Sequence, residues 1–235
     1  MKIDAYYLGL VNYSKALEIQ RYLSLLRRDG EIGDLLLLME HNHVFTIGRA
    51  GKMDEILIND KLLKKNGIEV YEIERGGATT YHGPGQLVGY PIINLKESQI
   101  NPILFLRKIE QLIIWMLNKY GIEATAVKGK TGVWVNGDKI ASIGIHISKW
   151  ITRHGFAINV CNELKYFDMI IPCGILGCKY TSISNEKGVK IEPIKTINEL
   201  IESFSNTFSA DLEIKAWDED KFFKYYAFLH GGYFY

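Results

Sequence analysis

The stretch from Glu74 to Leu95, ERGGATTYHGPGQLVGYPIINL, constrains the fold more than any other part of this chain. Apolar runs typical of strands flank it, and between them four glycines and a proline fall within eleven residues. Such a segment is a loop with a prescribed backbone, and its missing Cβ atoms let a ligand approach the main chain. The sequence therefore predicts a binding loop between two strands.

The rest of the chain has the composition of an ordinary globular protein, with 235 residues, 47% of them hydrophobic, and a formal net charge of +1. This length suits one catalytic domain over 1–235, in which 185–235 could form a small C-terminal lobe. Because the charge is nearly balanced, neither nucleic acid nor a membrane is expected as a partner. We expect a cytoplasmic protein, since the N-terminus lacks the apolar core of a signal peptide.

The periodicity of apolar residues predicts a mixed α+β domain. Helices are predicted at 14–28, 60–66, 101–120, 198–208 and in the aromatic tail before 231. Strands are predicted at 3–11, 35–39, within 41–51, and at 69–74, 87–95, 123–127, 131–135, 139–147 and 151–160. Ser14 is expected to cap the first helix, and Pro91 implies an edge strand or a bulge.

The three cysteines, Cys161, Cys173 and Cys178, are too few for a disulfide framework, and there is no CxxC pair to suggest zinc. His41 and His43 stand at strand spacing, but no cluster of further ligands joins them, so no metal is expected. Cys173 alone follows a proline and precedes a glycine, a setting that presents a thiol at a turn. A structural role is expected for the other two and is the alternative for Cys173.

A nucleophilic Cys173 needs a positively charged partner, because a thiol with a pKa near 8.5 is only about 3% ionised at pH 7. Lowering that pKa by about 1.5 units requires about 2 kcal/mol, which one nearby ammonium supplies. Lys139 is the candidate, since it opens the strand KIASIGI directly after the hairpin signal Asn136-Gly137. The alternative is a solvated lysine at the end of a strand.

Four motifs, RGGATTYHGPGQLVGYP, KIASIGIHI, HGFAINV and IIPCGI, in this order, resemble the octanoyltransferase family of lipoate biosynthesis. The resemblance covers about 36–183 and implies a mixed β-sheet flanked by helices, as in lipoate and biotin protein ligases. It implies no resident cofactor, since 4'-phosphopantetheine would arrive on the acyl carrier protein. Glu163-Leu164, where many relatives are expected to have Asp-Leu, departs from the pattern without touching the catalytic residues.

The resemblance also implies a cysteine–lysine dyad, in which Cys173 accepts the acyl group and Lys139 lowers its pKa and moves protons. The donor would be octanoyl-acyl carrier protein, and the acceptors would be lysines in lipoyl domains of 2-oxoacid dehydrogenase E2 subunits and in the glycine cleavage H protein. Because a thiolate exchanges with a thioester, no ATP is needed. Contacts to the octanoyl chain and the carrier arm map to Arg75, Gly76, Gly77, Ala78, Thr79, Thr80, Tyr81, His82, Ser142, Ile143, Gly144, Gly155, Phe156 and Ala157.

Several points stay open at this level. His82 either orients the loop or is an ordinary loop histidine, and Arg75 either anchors the loop to a carboxylate or approaches the carrier arm. The oxyanion donors are backbone N–H groups near Gly174 or along 139–142. The glycines Gly76, Gly77 and Gly144 are expected to let the acyl chain lie against backbone, so that a bulkier residue would shorten the slot.

Two other functions compete with transfer. One is an ATP-dependent lipoate–protein ligase of the same fold, whose motif resembles RRxSGGGxVYHD and which needs no nucleophilic cysteine. The other is a non-catalytic module that binds carrier proteins or lipoyl domains. The motifs RGG…HGPGQ and PCGI of this chain favour the transferase.

Overall fold

A computed structural model describes residues 1–171 and 177–218, so Cys173 and the aromatic tail predicted to be helical lie outside the described residues. The helices are α1 (Tyr13–Arg28), α2 (Asp60–Lys65), α3 (Pro102–Lys119), α4 (Ile183–Lys187) and α5 (Ile197–Phe208). The strands are β1 (Lys2–Val11), β2 (Asp34–His41), β3 (Val44–Ile47), β4 (Glu69–Glu72), β5 (Thr79–His82), β6 (Gln86–Ile92), β7 (Thr125–Val127), β8 (Lys130–Val135), β9 (Asp138–Ser148), β10 (Ile151–Asn159) and β11 (Asp211–Lys215).

Eight of these strands form one sheet in the order β11-β1-β2-β6-β10-β9-β8-β7, and three form a small sheet in the order β4-β3-β5. In the large sheet β1 runs parallel to β11 and β2, whereas the remaining neighbours are antiparallel. Helices α3 and α5 cover one face, and α1 covers the other. The predicted fold class, a mixed sheet flanked by helices, is confirmed.

Strand β2 illustrates how the two faces are filled. Leu36 and Leu38 belong to the core beneath α3, while Leu35, Leu37 and Met39 belong to the core beneath α1. Successive side chains of a strand point to opposite faces, so a strand covered on both sides is apolar throughout. The run of leucines in the sequence therefore marks the middle of the sheet.

The predicted cap of α1 is wrong by two residues. Asn12 is the N-cap, because its side-chain oxygen accepts a hydrogen bond from the Ser14 N–H at 2.9 Å. Asparagine and serine are almost equally good caps, so the sequence alone does not separate them.

The prediction of an edge or a bulge at Pro91 is also wrong, since β6 lies between β2 and β10 without a register shift. Pairing of β6 with β10 stops at Gly89, opposite Phe156. On that same side the carbonyl of Pro91 accepts a hydrogen bond from the Thr152 hydroxyl at 2.6 Å. The missing N–H of proline therefore falls beyond the last β6–β10 pair and interrupts no ladder.

The C-terminal part of the described chain packs against the main sheet. Leu200, Phe204 and Phe208 of α5 join the core beneath α3, and β11 pairs with β1. The periodicity analysis missed both α4 and β11. Within the described ranges, no helix is long and apolar enough to cross a membrane.

Candidate active site

A cavity of about 310 Å³ lies between the small sheet and strands β9 and β10. Its volume is at the lower end of the roughly 300–1,000 Å³ typical of small-molecule sites. Lys139 lines it. Of the predicted contact residues, it brings together Arg75, Gly77, Ala78, Thr80, His82, Ser142, Ile143, Gly144, Gly155, Phe156 and Ala157.

The glycine-rich stretch contributes to the wall of this cavity through β5, a strand that the sequence analysis treated as part of the loop. Side chains alternate along a strand, so Thr80 and His82 line the cavity while Thr79 and Tyr81 point away from it. Tyr81 instead stacks on Tyr166, with ring centroids 5.0 Å apart. Half of this predicted segment therefore supports the site from behind.

Gly76 and Gly144 bring the start of the stretch against β9. The Gly76 N–H donates to the Ile145 carbonyl at 3.1 Å. A Cβ on Gly144 would lie 2.7 Å from the Gly76 oxygen and 3.0 Å from Arg75 Cδ. The loop itself fills the space left by the missing side chain of Gly144. This glycine therefore lets the loop pack on β9, whereas the sequence analysis expected the space to hold the acyl chain.

Arg75 holds the loop to β3. Its side chain is buried, and its guanidinium donates to the Thr46 carbonyl at 2.6 Å and to the Thr46 hydroxyl at 2.9 and 3.2 Å. It also donates to the Gly76 carbonyl at 3.0 Å. These contacts fit the role of a loop anchor. The sequence analysis considered a carboxylate as the partner of Arg75, and the structure shows main-chain and hydroxyl oxygens.

Lys139 begins the body of β9 and is only 2% exposed, so the alternative of a solvated strand-end lysine is wrong. Its ammonium lies 5.4 Å from the centre of the Trp134 ring, within the range of a cation–π contact. The two-residue turn at Asn136-Gly137 places Trp134 directly opposite Lys139 in the hairpin. A buried ammonium of this kind interacts strongly with any charge that forms in the cavity.

The chain on either side of the predicted nucleophile is anchored by main-chain hydrogen bonds. On the C-terminal side, the Lys139 N–H donates to the Lys179 carbonyl at 2.8 Å, and the Thr181 N–H donates to the Lys139 carbonyl at 3.1 Å. On the N-terminal side, the Ile171 N–H donates to the Glu55 carbonyl at 2.7 Å. The segment that leads away from Cys173 thus pairs with the backbone of Lys139.

Comparison with known proteins identifies the family of the protein that carries this site. Residues 12–208 match the family described as lipoyl protein ligase A/B catalytic domain. The chain belongs to this family. It is 49% identical to an octanoyltransferase of Solibacter usitatus over 168 residues, covering 72% of this chain and 76% of the relative.

A second relative, an octanoyltransferase of Caldicellulosiruptor bescii, is 44% identical over 216 residues, covering 91% of this chain and 95% of that protein. The resemblance to octanoyltransferases is therefore confirmed, and the chain is an acyltransferase. Among solved structures, the bipartite lipoate protein ligase of Thermoplasma acidophilum matches with a TM-score of 0.72 at 16% identity, covering 98% of this chain and 93% of that one. This match supports the shared fold.

The imidazole of His82 is a buried, neutral part of the cavity wall of this acyltransferase. Its Nδ1 lies 2.8 Å from the Gln86 side-chain oxygen, and its ring stacks on Tyr13 with centroids 6.0 Å apart. Burial, reinforced by the neighbouring His41, lowers the pKa of His82 to about 3. The ring therefore carries no charge at neutral pH.

His41 and His43, considered above as a metal pair, are engaged with protein atoms. His41 is fully buried, with Nδ1 2.8 Å from the Val11 carbonyl and Nε2 2.8 Å from the Tyr90 hydroxyl. His43 Nδ1 lies 2.9 Å from the Tyr81 hydroxyl. Within the part of the chain that the structure describes, no group of three or more histidine, cysteine, aspartate or glutamate side chains could hold a metal ion.

The sequence analysis missed several residues of the cavity wall, namely Tyr13, Val88, Tyr90, Trp134 and His154. A signal for Trp134 was present, because a two-residue Asn136-Gly137 turn makes Trp134 and Lys139 cross-strand partners. Tyr13 reaches the cavity from α1, which packs across β6 and β10, and Tyr90 reaches it from β6. No local pattern marks them.

Proposed function

We propose that this acyltransferase moves an octanoyl or lipoyl group from acyl carrier protein to a specific lysine of a lipoyl domain, through a thioester on Cys173. The observation that carries the proposal is the position of Lys139. Its ammonium is buried in the cavity wall, and its backbone pairs with the segment 179–181 that leads away from Cys173. A cation held there favours the thiolate over the thiol.

In the first step, the Cys173 thiolate attacks the carbonyl carbon of the octanoyl thioester. The new carbon–sulfur bond forms, the bond to the phosphopantetheine sulfur breaks, and the leaving thiolate takes a proton from the Lys139 ammonium. One thioester replaces another, so the step is close to balanced in free energy. It requires neither ATP nor a resident cofactor.

In the second step, the amine of the acceptor lysine attacks the acyl-enzyme. Neutral Lys139 takes the proton that the amine loses as the amide bond forms, and Cys173 leaves as the thiolate. The amide is more stable than the thioester, which makes the overall transfer favourable. Lys139 returns to its ammonium form, ready for the next donor.

The acyl chain is expected to occupy the apolar part of the cavity, formed by Val88, Ile143, Phe156 and Ala157. Burying seven carbons beyond the carbonyl, at about 0.8 kcal/mol each, gives up to about 5–6 kcal/mol. A cavity of about 310 Å³ is small enough to distinguish chain lengths by volume. The expected acceptors are the lipoyl domains of 2-oxoacid dehydrogenase E2 subunits and the glycine cleavage H protein.

The proposal is tested by following the acceptor protein. Purified enzyme, octanoyl-acyl carrier protein and a lipoyl domain are mixed without ATP, and the mass of the lipoyl domain is measured. We expect one octanoyl increment on the target lysine, lost when that lysine is replaced by arginine. Modification only with ATP and free octanoate would establish a ligase instead, and no modification under either condition would leave a binding module.

A further inference from the structure

A chain of buried side-chain amides joins His82 to the segment that pairs with Lys139. The Gln86 side chain contacts His82 Nδ1 at 2.8 Å and the Asn159 side-chain oxygen at 2.9 Å. The Asn159 amide nitrogen in turn contacts the Thr181 carbonyl at 3.1 Å. These side chains are at least nine-tenths buried, and the Thr181 N–H donates to the Lys139 carbonyl.

Backbone carbonyls fix the direction of every hydrogen bond between His82 and Thr181, because a carbonyl oxygen can only accept. The Asn159 atom that faces the Thr181 carbonyl must be the NH₂ group, so the Asn159 oxygen faces Gln86. The Gln86 atom that meets this oxygen must then be its NH₂ group, which also donates to the Tyr81 carbonyl at 3.3 Å. The Gln86 oxygen is left to face His82, so His82 Nδ1 must carry the proton.

We propose that Gln86 and Asn159 are positioning residues that hold His82 in the tautomer protonated on Nδ1. The only ring nitrogen then left for a ligand is Nε2, which accepts a hydrogen bond and cannot donate one. His82 therefore accepts a hydrogen bond from the ligand, for which we infer an N–H group, and it is excluded as a donor to an oxyanion.

The surroundings of the ring keep this state in place. The low pKa of His82 follows from its burial, so the imidazole does not become a cation that could donate from Nε2 near neutral pH. Tyr13 stacks on the ring at an interplanar angle of 10°. A flip of the ring would break the hydrogen bond to Gln86, and any smaller rotation would also break the stack.

Identification of the ligand group rests on the proposed function, which supplies two N–H donors. One is an amide of the phosphopantetheine arm of the acyl donor, and the other is the amine of the acceptor lysine. The two sources separate kinetically, because the arm is present when the acyl-enzyme forms and the amine is present when it is consumed. Measuring the two half-reactions of a His82→Phe variant distinguishes them.

The tautomer itself is tested by two-bond ¹H–¹⁵N correlation spectra of the full-length, ¹⁵N-labelled protein, with the His82 signals assigned by their loss in His82→Phe. We expect a protonated Nδ1 and an unprotonated Nε2, unchanged between pH 8 and pH 5.5. This readout does not depend on transfer activity, so it can fail or succeed independently of the proposed function.

Gln86→Glu provides the decisive variant. An ionised carboxylate accepts only, so it cannot donate to Asn159 or to the Tyr81 carbonyl, and its charge favours protonation of His82. We expect His82 in this variant to gain a proton on Nε2 and to titrate. Asn162→Ala, which removes a side bond of 3.2 Å to the Asn159 oxygen, should leave the tautomer unchanged.

An Nε2-protonated neutral His82 in the wild type, or a His82 in Gln86→Glu that stays neutral between pH 8 and pH 5.5 as in the wild type, would overturn the proposed positioning role. If neither half-reaction slows in the folded His82→Phe protein, the inferred recognition of an N–H group is wrong, whatever the tautomer.

Discussion

Gly132 and Lys139 lie so close together that a Cβ on Gly132 would be 2.7 Å from Lys139 Cε. The same Cβ would be 2.6 Å from the Ala141 carbonyl oxygen, and Gly132 has a φ of +132°. The Gly132 N–H also points to the buried Glu110 carboxylate at 3.3 Å. Strand β8 is therefore shaped so that the buried side chain of Lys139 can pass beside it.

Replacing Gly132 with alanine should therefore displace Lys139. We expect a loss of about 1–3 kcal/mol in the free energy of unfolding, as for other overpacked sites, together with slower alkylation of Cys173. Gly129→Ala is the matched control, since Gly129 also has a positive φ (+82°) but has no atom within 4 Å of an added Cβ. This packing role would be contradicted if Gly132→Ala and Gly129→Ala had the same stability in urea and the same rate of alkylation by iodoacetamide, within error.

Lys139→Met removes the ammonium and keeps most of the side-chain volume. If Lys139 lowers the pKa of Cys173 by about 1.5 units, its loss should slow alkylation of Cys173 roughly tenfold at pH 7 and much less at pH 9. Lys130→Met is a useful comparison, because Lys130 places a second ammonium 5.5 Å from the same Trp134 ring but is solvent-exposed. A curve of rate against pH that is the same in Lys139→Met and wild type would remove Lys139 from the dyad.

Gly144→Ala tests what the glycine on β9 does. Because its Cβ would meet the Gly76 oxygen at 2.7 Å, the variant should push the loop off β9 and lower kcat/KM for hexanoyl, octanoyl and decanoyl carrier proteins to a similar extent. A shortened slot would instead spare hexanoyl and penalise decanoyl. That second pattern would restore the original expectation that the acyl chain lies against Gly144.

Stability should fall as the pH falls below the normal pKa of histidine. Burial lowers the pKa of His41 to about 4 and that of His82 to about 3, so the folded chain keeps both rings neutral while the unfolded chain protonates them near pH 6.5. Because the unfolded state binds more protons, the free energy of unfolding decreases with decreasing pH, by about 2.5 kcal/mol per pH unit from these two groups around pH 5.

Urea unfolding at several pH values between 7 and 4.5 measures this slope, and His41→Gln should reduce it by about one proton, or about 1.4 kcal/mol per pH unit. Glutamine is neutral throughout and retains a donor and an acceptor for the Val11 carbonyl and the Tyr90 hydroxyl. An identical slope in the variant would mean that His41 does not stay neutral in the folded protein.

The long apolar elements were predictable because their periodicity reflects burial. Leu35 to Met39 marks the central strand, and the stripe from Phe105 to Leu117 marks α3, which begins after its N-cap Asn101. The hairpin at Asn136-Gly137 followed from its turn residues, which adopt φ values of +50° and +93°.

The elements that were missed lack such signals. Strand β5 has only four residues, without an apolar alternation, and it exists because Thr79–His82 pairs with β3, more than thirty residues earlier in the chain. Strand β11 is mostly exposed along Asp211–Lys215, so no buried face appears in its sequence. In both cases tertiary pairing determines the structure, and the local composition does not.

The candidate site was likewise predictable from the sequence only in part. Motifs in the sequence identified the residues that line the cavity and the lysine in its wall, and the burial of Lys139 required the three-dimensional structure. The amide chain through Gln86 and Asn159 was also hidden, because its members are 73 residues apart. Cys173 lies outside the described residues, so its role stays a prediction.

The mass of the intact protein after incubation with octanoyl-acyl carrier protein, in the absence of ATP, tests the central claim most directly. We predict an increase of one octanoyl group, removed by hydroxylamine, absent in Cys173→Ser and formed more slowly in Lys139→Met. An unchanged mass of the folded wild-type protein, or an adduct that persists in Cys173→Ser, would contradict the account.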